Sequence, residues 1–296
     1  MHRPLAEDWA PTLKTLHMWT QIVGKIRLSL MPWQNHSWHV TLYISPNGLS
    51  TGSIPYQDGM IELLFDFAAH RFEIHSTHRD TTGFALDAMS VKDFYQKLMS
   101  TLKELDIEVD IHASPNEVEP SIPFEENETD NSYDKQAISN WWQVAVSTYK
   151  VFSKFRSDFI GKCSPVHFFW GAFDIAVTRF SGRPAPLHQG EMPNMPKAVM
   201  QEAYSQEVSS AGFWPGSDDF PQPMFYAYAY PSPEGYDQTE VGPKEAFWSP
   251  EMGEWFLPYD AVRNADDPDG MLMEFLQSSY VGAADLAKWD REVLER

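Results

Sequence analysis

The 296-residue chain carries 42 Asp and Glu against 22 Lys and Arg, a formal net charge of −20. That balance argues against nucleic acid or an anionic membrane as partner, since both need clustered cations, and a single cysteine excludes an internal disulfide and every multi-cysteine zinc pattern. No apolar run approaches the ~20 residues of a membrane span and the amino terminus has no signal core, so a soluble, cytoplasmic protein is expected.

The chain opens with a helix. Pro11 suits a first turn, and Leu13, Leu16, Thr20, Val23, Ile26 and Leu30 recur at three to four residues, which predicts an amphipathic helix ending near Pro32 and packed on the main body. From Trp38 the period changes to two: WHVTLYIS reads as a strand, Asn47-Gly48 as a turn and GSIPY as a short extended segment. MIELLFDF and RFEIHST follow as strands around Ala68-Ala69-His70. Ser90 is an N-cap for a helix with Phe94, Leu98 and Leu102 inward, and IEVDIHA returns as a strand.

Residues 114–134 are rich in proline and acid and read as an exposed surface connection. A long helix follows from Asp134 to Ile160, roughly 40 Å at the standard rise; its aromatic stripe reads as core rather than as a cofactor box. Val166 to Phe180 as one strand would span roughly 50 Å, far above the usual length, so a bend, bulge or turn is expected at Gly171. A proline-rich loop runs from Pro184 to Pro196, and a short helix starts at Asn194 and Pro196 and stops at Gly212. PMFYAYAYP is a proline-bounded strand, EAFWSPEMGEWFLPYD a hairpin turning at Pro250 to Gly253, and Asp267-Pro268 opens the last long helix. The fold class is α+β: largely antiparallel sheet with helices packed outside, on one compact domain over 1–296. A subdivision into 1–113, the connection 114–134 and 135–296, with two pseudo-repeated halves, is a further option.

The stretch from Lys162 to Pro186 concentrates the unusual residues. His167 is a candidate acid-base group, with a buried, backbone-bonded histidine as the plainer alternative. In an unbroken pleat His167 and Phe169 would face away from Trp170, Asp174 and Thr178, whereas a break at Gly171 could unite the two sets. Cys163 lies four residues from His167 but has no protease signature around it and reads as a structural thiol. Arg179 and Arg183, with His188 beyond them, form the sharpest binding signal, since guanidinium forks recognise carboxylate and phosphate. The alternative is that they neutralise Asp174, Glu202 or Glu207.

The pairs His36/His39 and His75/His78 lack the HExxH context of a helix-borne metal site, and a mixed set of His39, His167 and an acid requires tertiary folding. No metal and no cofactor is expected. Tyr226, Tyr228 and Tyr230 share one strand face, and with Trp214, Trp248, Trp255 and nearby acids could stack sugars, though such rings more often seal a core. GxGxxG, GxxxxGK[ST] and GxSxG motifs are absent, which removes support for dinucleotide, nucleotide and esterase readings.

Four segments carry a family resemblance: WHVTLYISPNGL (38–49), FIGKCSPVHFFWGAFDIAVTRFSGRPAP (159–186), EAYSQEVSSAGFWPG (202–216) and LPYDAVR (257–263). Through them the chain resembles, over nearly its full length, a widespread bacterial family known only as a domain of unknown function. The resemblance implies that the four segments belong to one domain; it brings no activity and no cofactor.

The resulting expectation is a protein that binds, and as an enzyme would transform, a small polar or anionic metabolite in an aromatic-lined pocket. His167 would act as acid-base group with Asp174 orienting it or pairing an arginine; Arg179 and Arg183 would hold the anion, and Trp170 and Trp214 would form walls. The rival readings are a non-catalytic interaction protein, with self-association included, and a carbohydrate-binding or glycoside-processing protein.

Overall fold

The computed structural model describes residues 5, 9–190, 195–217 and 220–296. Helix α1 (Ala10–Leu30) begins with proline in its first turn and gives way to extended backbone at Met31, as Pro32 requires. It is not the amphipathic outer helix its periodicity suggested. Every residue from Met18 to Arg27 is buried. The polar ones among them are accommodated because each reaches a neighbour: Gln21 exchanges hydrogen bonds with the Asn116 backbone at 2.8 Å in both directions, and an Arg27 Nη1–H donates to the Thr51 carbonyl.

The first sheet is wholly antiparallel. It comprises β1 (Tyr43–Ile44), β2 (Gly48–Ser50), β3 (Ile54–Tyr56), β4 (Gly59–Asp66), β5 (Arg71–Ser76) and β6 (Arg79–Ala85) in the order β1-β2-β4-β5-β6, with β3 also on β4. The strand expected from Trp38 shrinks to β1, because residues 35–37 form a tight helical turn in which His36 and Ser37 are both left-handed (φ 57° and 58°). The strand expected at 107–113 is absent; no neighbouring strand offers it a ladder. β6 went unrecognised because Phe84 alone of its residues is buried.

Helix α2 (Val91–Glu104) starts where Ser90 Oγ accepts the Asp93 N–H at 3.0 Å. Phe94 stacks on Trp19 of α1, with centroids 4.8 Å apart. The segment 114–134 is not merely an exposed connection. Phe124 and Asn127 are buried in it, and the Asn127 and Asp130 carbonyls accept the otherwise orphaned N–H groups of Lys92 and Val91 at 3.0 Å.

Helix α3 (Lys135–Ser157) is capped by Asp134 and leads into the second sheet. Its strands are β7 (His167–Phe169), β8 (Asp174–Pro184), β9 (Gln206–Trp214), β10 (Met224–Tyr230), β11 (Phe247–Ser249) and β12 (Glu254–Pro258), in the order β11-β12-β10-β9-β8-β7. Helix α4 (Lys197–Ala203) lies between β8 and β9; α5 (Tyr259–Arg263), α6 (Pro268–Leu286) and α7 (Arg291–Leu294) follow β12. The short helix therefore ends well before Gly212, and β9 occupies what remained; the Asn194 end of that expectation lies outside the described residues.

Helices α3 and α6 cover one face of the second sheet, burying Ile175, Val177, Phe213 and Phe225. The two sheets meet at one place, where Leu42 and Phe168 exchange backbone hydrogen bonds of 2.9 and 2.8 Å. The two sheets differ in strand order.

Candidate functional site

The turn expected at Gly171 is present. Residues 170–173 close a hairpin between β7 and β8, with Phe173 at φ 61°. The hairpin reverses the consequence of simple alternation. His167 pairs with Ala176 and Phe169 with Asp174, so His167, Asp174 and Thr178 share one face of the sheet. Pairing carries that face onward through Ser210, Gly212 and Trp214 to Tyr226 and Tyr228, and then to Phe256 and Glu254. It is the face opposite α3 and α6.

At its β7 end this face collects cations and imidazoles. His167 is 1% exposed, with its ring between those of Tyr43 (5.6 Å) and Trp38 (6.0 Å). The Arg27 guanidinium lies over the Tyr43 ring at 5.3 Å, and its charge acts on both His167 and His39. Arg27 is 3% exposed, and among the described residues no carboxylate pairs with it. Burial lowers its pKa, and burial first, then the charges of Arg27 and Arg156, hold His167 down to about 3.

Several polar atoms here have no hydrogen-bond partner among the described residues: Arg27 Nε, Ser37 Oγ, His39 Nε2 and both nitrogens of His167. Their hydrogen-bonding sense follows from their neighbours. The Gln34 N–H donates to His39 Nδ1 at 3.2 Å, so the ring proton of neutral His39 resides on the orphaned Nε2. Arg27 Nε–H and Ser37 Oγ–H are likewise donors, and neutral His167 adds one more. Buried donors without acceptors cost free energy, and here Arg27, Ser37, His39 and His167 each contribute one, with His39 and His167 both within reach of the Arg27 charge.

Backbone strain marks the same place. Two consecutive left-handed non-glycine residues, His36 and Ser37, sit in the Asn35-His36-Ser37-Trp38-His39 turn, both 6% exposed. The turn is held in that shape from above and below. His36 Nδ1 donates to the Ala203 carbonyl at 3.0 Å and so accepts Lys162 Nζ–H on Nε2; the Trp33 indole donates to both Glu202 carboxylate oxygens at 3.1 and 3.0 Å. Helix α4 thereby forms a lid over the turn. Burial lowers the pKa of Lys162, whose ammonium lies over Phe180 at 4.8 Å.

Further along the same face the charge changes sign. Asp174 is buried and accepts the Tyr226 hydroxyl proton; the Tyr226 ring lies over Gly212, where a β-carbon would overlap it. Burial pushes Asp174 up to about 6. Glu117, left-handed at φ 58°, lays its carboxylate against Gly171, and burial followed by the Asp174 charge raises it to about 7; Glu254 rises to about 7 for the same two reasons. No cation among the described residues contributes to any of the three. Tyr204 and Tyr228 join this group through a 2.8 Å hydroxyl–hydroxyl bond.

The structure thus brings His167, Asp174 and Trp214 to one face but separates Arg179, Arg183 and Trp170 from it. Arg179 lies on the opposite face, 1% exposed, its guanidinium 3.5 Å from the Phe155 centroid and 4.3 Å from that of Tyr280, with Nη2 donating to the Phe155 carbonyl. Strand alternation explains this: Arg179 is odd where Asp174 and Thr178 are even. Arg183 is exposed, pairs with Glu207 and donates to the two carbonyls just past the end of α6, at 2.6 Å (Ala287) and 3.3 Å (Lys288). Neither arginine holds an anion at the His167 face.

Trp170 is a buried spacer: its indole donates to the Val40 carbonyl at 2.7 Å and its ring fills the notch left by Gly24. Trp214 is half-buried on the Asp174 face and stacks on Phe220. His188 stacks on Tyr204 at 4.7 Å, roofing the tyrosines. Cys163 is pushed up to about 11 by burial, a pKa unsuited to a nucleophile.

Arg27, Ser37, Tyr43 and Glu117 were not singled out by the sequence, whereas Glu254 was among the acids near Trp248 and Trp255. The dense polar-aromatic string Asn35 to His39 was the available signal; Arg27 was hidden inside a helical period and Glu117 inside an acidic loop. Among the described residues, no three His, Cys, Asp or Glu side chains are grouped as a metal site requires. A surface groove of about 580 Å3 along α6 includes none of these residues. No helix among the described residues is long and apolar enough to cross a membrane.

With a polar, strained face so defined, its relatives bear on what it does. A model of the family of unknown function DUF5996 matches residues 4–296, nearly the whole chain. The chain belongs to that family. No curated protein and no solved structure matches it. The match runs through both sheets, so the Arg27 cluster and the Asp174 cluster both fall within the family's extent.

Proposed function

We propose that the protein binds a small anionic metabolite at the cluster of Arg27, Ser37, His39 and His167. The observation that carries this reading is the buried Arg27 guanidinium, which meets the Thr51 carbonyl and the Tyr43 side chain but no carboxylate among the described residues, in a region that also holds orphaned N–H and O–H donors. A carboxylate or phosphate would accept from all of them and supply the missing negative charge. A structural arginine in so acidic a chain would be expected to meet a carboxylate, because an unpaired buried charge is strongly unfavourable. Tyr43 and Trp38 would form the aromatic walls, and the residues 35–39 and α4 the cover. His167, poised neutral, could donate to a bound oxygen; it is a binding group in this reading, and no reaction is assigned.

Thermal denaturation with and without inorganic phosphate, citrate and glucose tests it. Phosphate or citrate should raise the midpoint in a concentration-dependent manner, by mass action on the folded state. Arg27→Met should abolish the rise, and Ser37→Ala, which leaves the charge in place, should weaken it. No anion response in the wild-type protein, or an undiminished response in both variants, overturns the proposal. A response to glucose alone favours the carbohydrate reading.

A further inference from the structure

The donors of the Arg27 cluster are shut away from water. Arg27, Ser37, His39 and His167 are all buried, so an anion in solution reaches them only if part of the enclosing wall moves. Most of that wall is regular structure. Arg27 is held in α1, Tyr43 in β1 is paired with β2, and His167 in β7 is laddered to β8; displacing any of these breaks backbone hydrogen bonds and exposes core. One side is different. Residues 32–35 run exposed between the end of α1 and the turn, with extended backbone at Met31 and Gln34 (ψ 139° and 147°), and pair with no strand of either sheet.

Trp33 closes this weaker side. It is 58% exposed, yet its ring lies on that of buried His39, with centroids 4.5 Å apart. Its indole N–H is shared between the two Glu202 carboxylate oxygens, which fastens the ring to α4. The next residue, Gln34, gives its backbone N–H to His39 Nδ1 and so fixes the His39 ring proton on Nε2. Closure of the 32–35 strap therefore covers His39 and also sets the tautomer that offers a donor to an acceptor oxygen. We propose that this strap is the gate of the Arg27 cluster, with Trp33 as its leaf and the Trp33–Glu202 contact as its latch. The proposal rests on the anion-binding reading and adds how the anion enters and is retained. The latch is a side-chain contact open to water, which is a weak fastening. Its release leaves α1 and both sheets intact, while the bond from His36 Nδ1 to the Ala203 carbonyl keeps α4 on the turn as the frame. An anion that accepts from His39 Nε2–H requires the same tautomer as the Gln34 N–H, so anion and closed strap favour each other by linkage.

Inorganic phosphate and the full chain test the gate in two ways. Line-shape analysis of the 31P signal during titration gives association and dissociation rates. Glu202→Ala removes the latch and Trp33→Ala removes the leaf, so each should raise both rates several-fold, because opening limits entry and exit. Hydrogen exchange on the wild-type chain needs no variant to fold: phosphate should slow exchange in peptides covering 32–39 and leave α2 unchanged. Rates unaltered in both variants, or phosphate binding without protection of 32–39, overturn the gate and leave anion binding standing. Faster dissociation with association unchanged in both variants marks Trp33 as a fixed wall and overturns the gate as well. If phosphate neither broadens its 31P signal nor protects any segment of the wild-type chain, anion binding itself is wrong and the gate falls with it.

Discussion

His167, Glu117 and Glu254 are the residues at which burial and chemistry conflict most directly, and they make the molecule's stability depend on pH in opposite senses. Burial holds His167 at about 3 against an ordinary 6.5, so the unfolded chain takes up a proton that the folded chain refuses. Its contribution is present above about 6.5 and is lost as pH falls from there toward 3. Glu117 and Glu254 are raised to about 7 from 4.5; their contribution is complete below 4.5 and is lost as pH rises through 7. Thermal midpoints measured across pH should therefore decline less steeply between 4.5 and 7 in Glu254→Gln than in the wild type. Curves for the two that differ only by a constant offset would contradict the assignment. Gly24 gives a prediction of another kind: a methyl there overlaps the Trp170 ring, so Gly24→Ala should cost about 1–3 kcal/mol in denaturant unfolding, the usual penalty for overpacking.

Among the elements, those with a clean period or a strong punctuation signal were legible in the sequence. The turn at Gly171, the hairpin at Pro250 to Gly253, the Ser90 cap and the long helices α3 and α6 all stand close to where the residues place them. The capping assignment predicts that Ser90→Ala loses about 1 kcal/mol, read from urea unfolding. Elements whose form is imposed by partners were not legible. β9 contains Ser209, Ser210 and Gly212, a poor strand signature, and exists because β8 and β10 flank it. The 107–113 segment alternates well but has no ladder to join. Helix α1 looks amphipathic, yet it is buried along most of its length because the 116–117 loop and Thr51 satisfy its polar side. The sequence signal around Arg183 was likewise real but pointed to a helix end. Its pairing with Glu207 is exposed, so Arg183→Ala should change stability by less than about 1 kcal/mol and leave any anion response intact.

For the whole molecule, the informative contrast is between two buried arginines in a chain of net charge −20. Arg179 is caged by Phe155, Phe159 and Tyr280 on the helix-covered face. Arg27 stands near the junction of the two sheets, which Leu42 and Phe168 join, and has one ring against it and several unsatisfied donors around it. The sequence pointed to Arg179 and not to Arg27, because which face a residue occupies depended on the hairpin turn and on α1 being enclosed. Arg179→Met should therefore leave phosphate stabilisation intact where Arg27→Met removes it; loss of the response in both variants would place the site elsewhere. The most direct test is a histidine side-chain 15N spectrum of the full chain, titrated with phosphate and assigned with His39→Gln and His167→Gln. The account predicts that the His39 and His167 ring signals move together at one saturable concentration while exposed His78 stays fixed; movement of His78 alone, or of none of these signals, would contradict it.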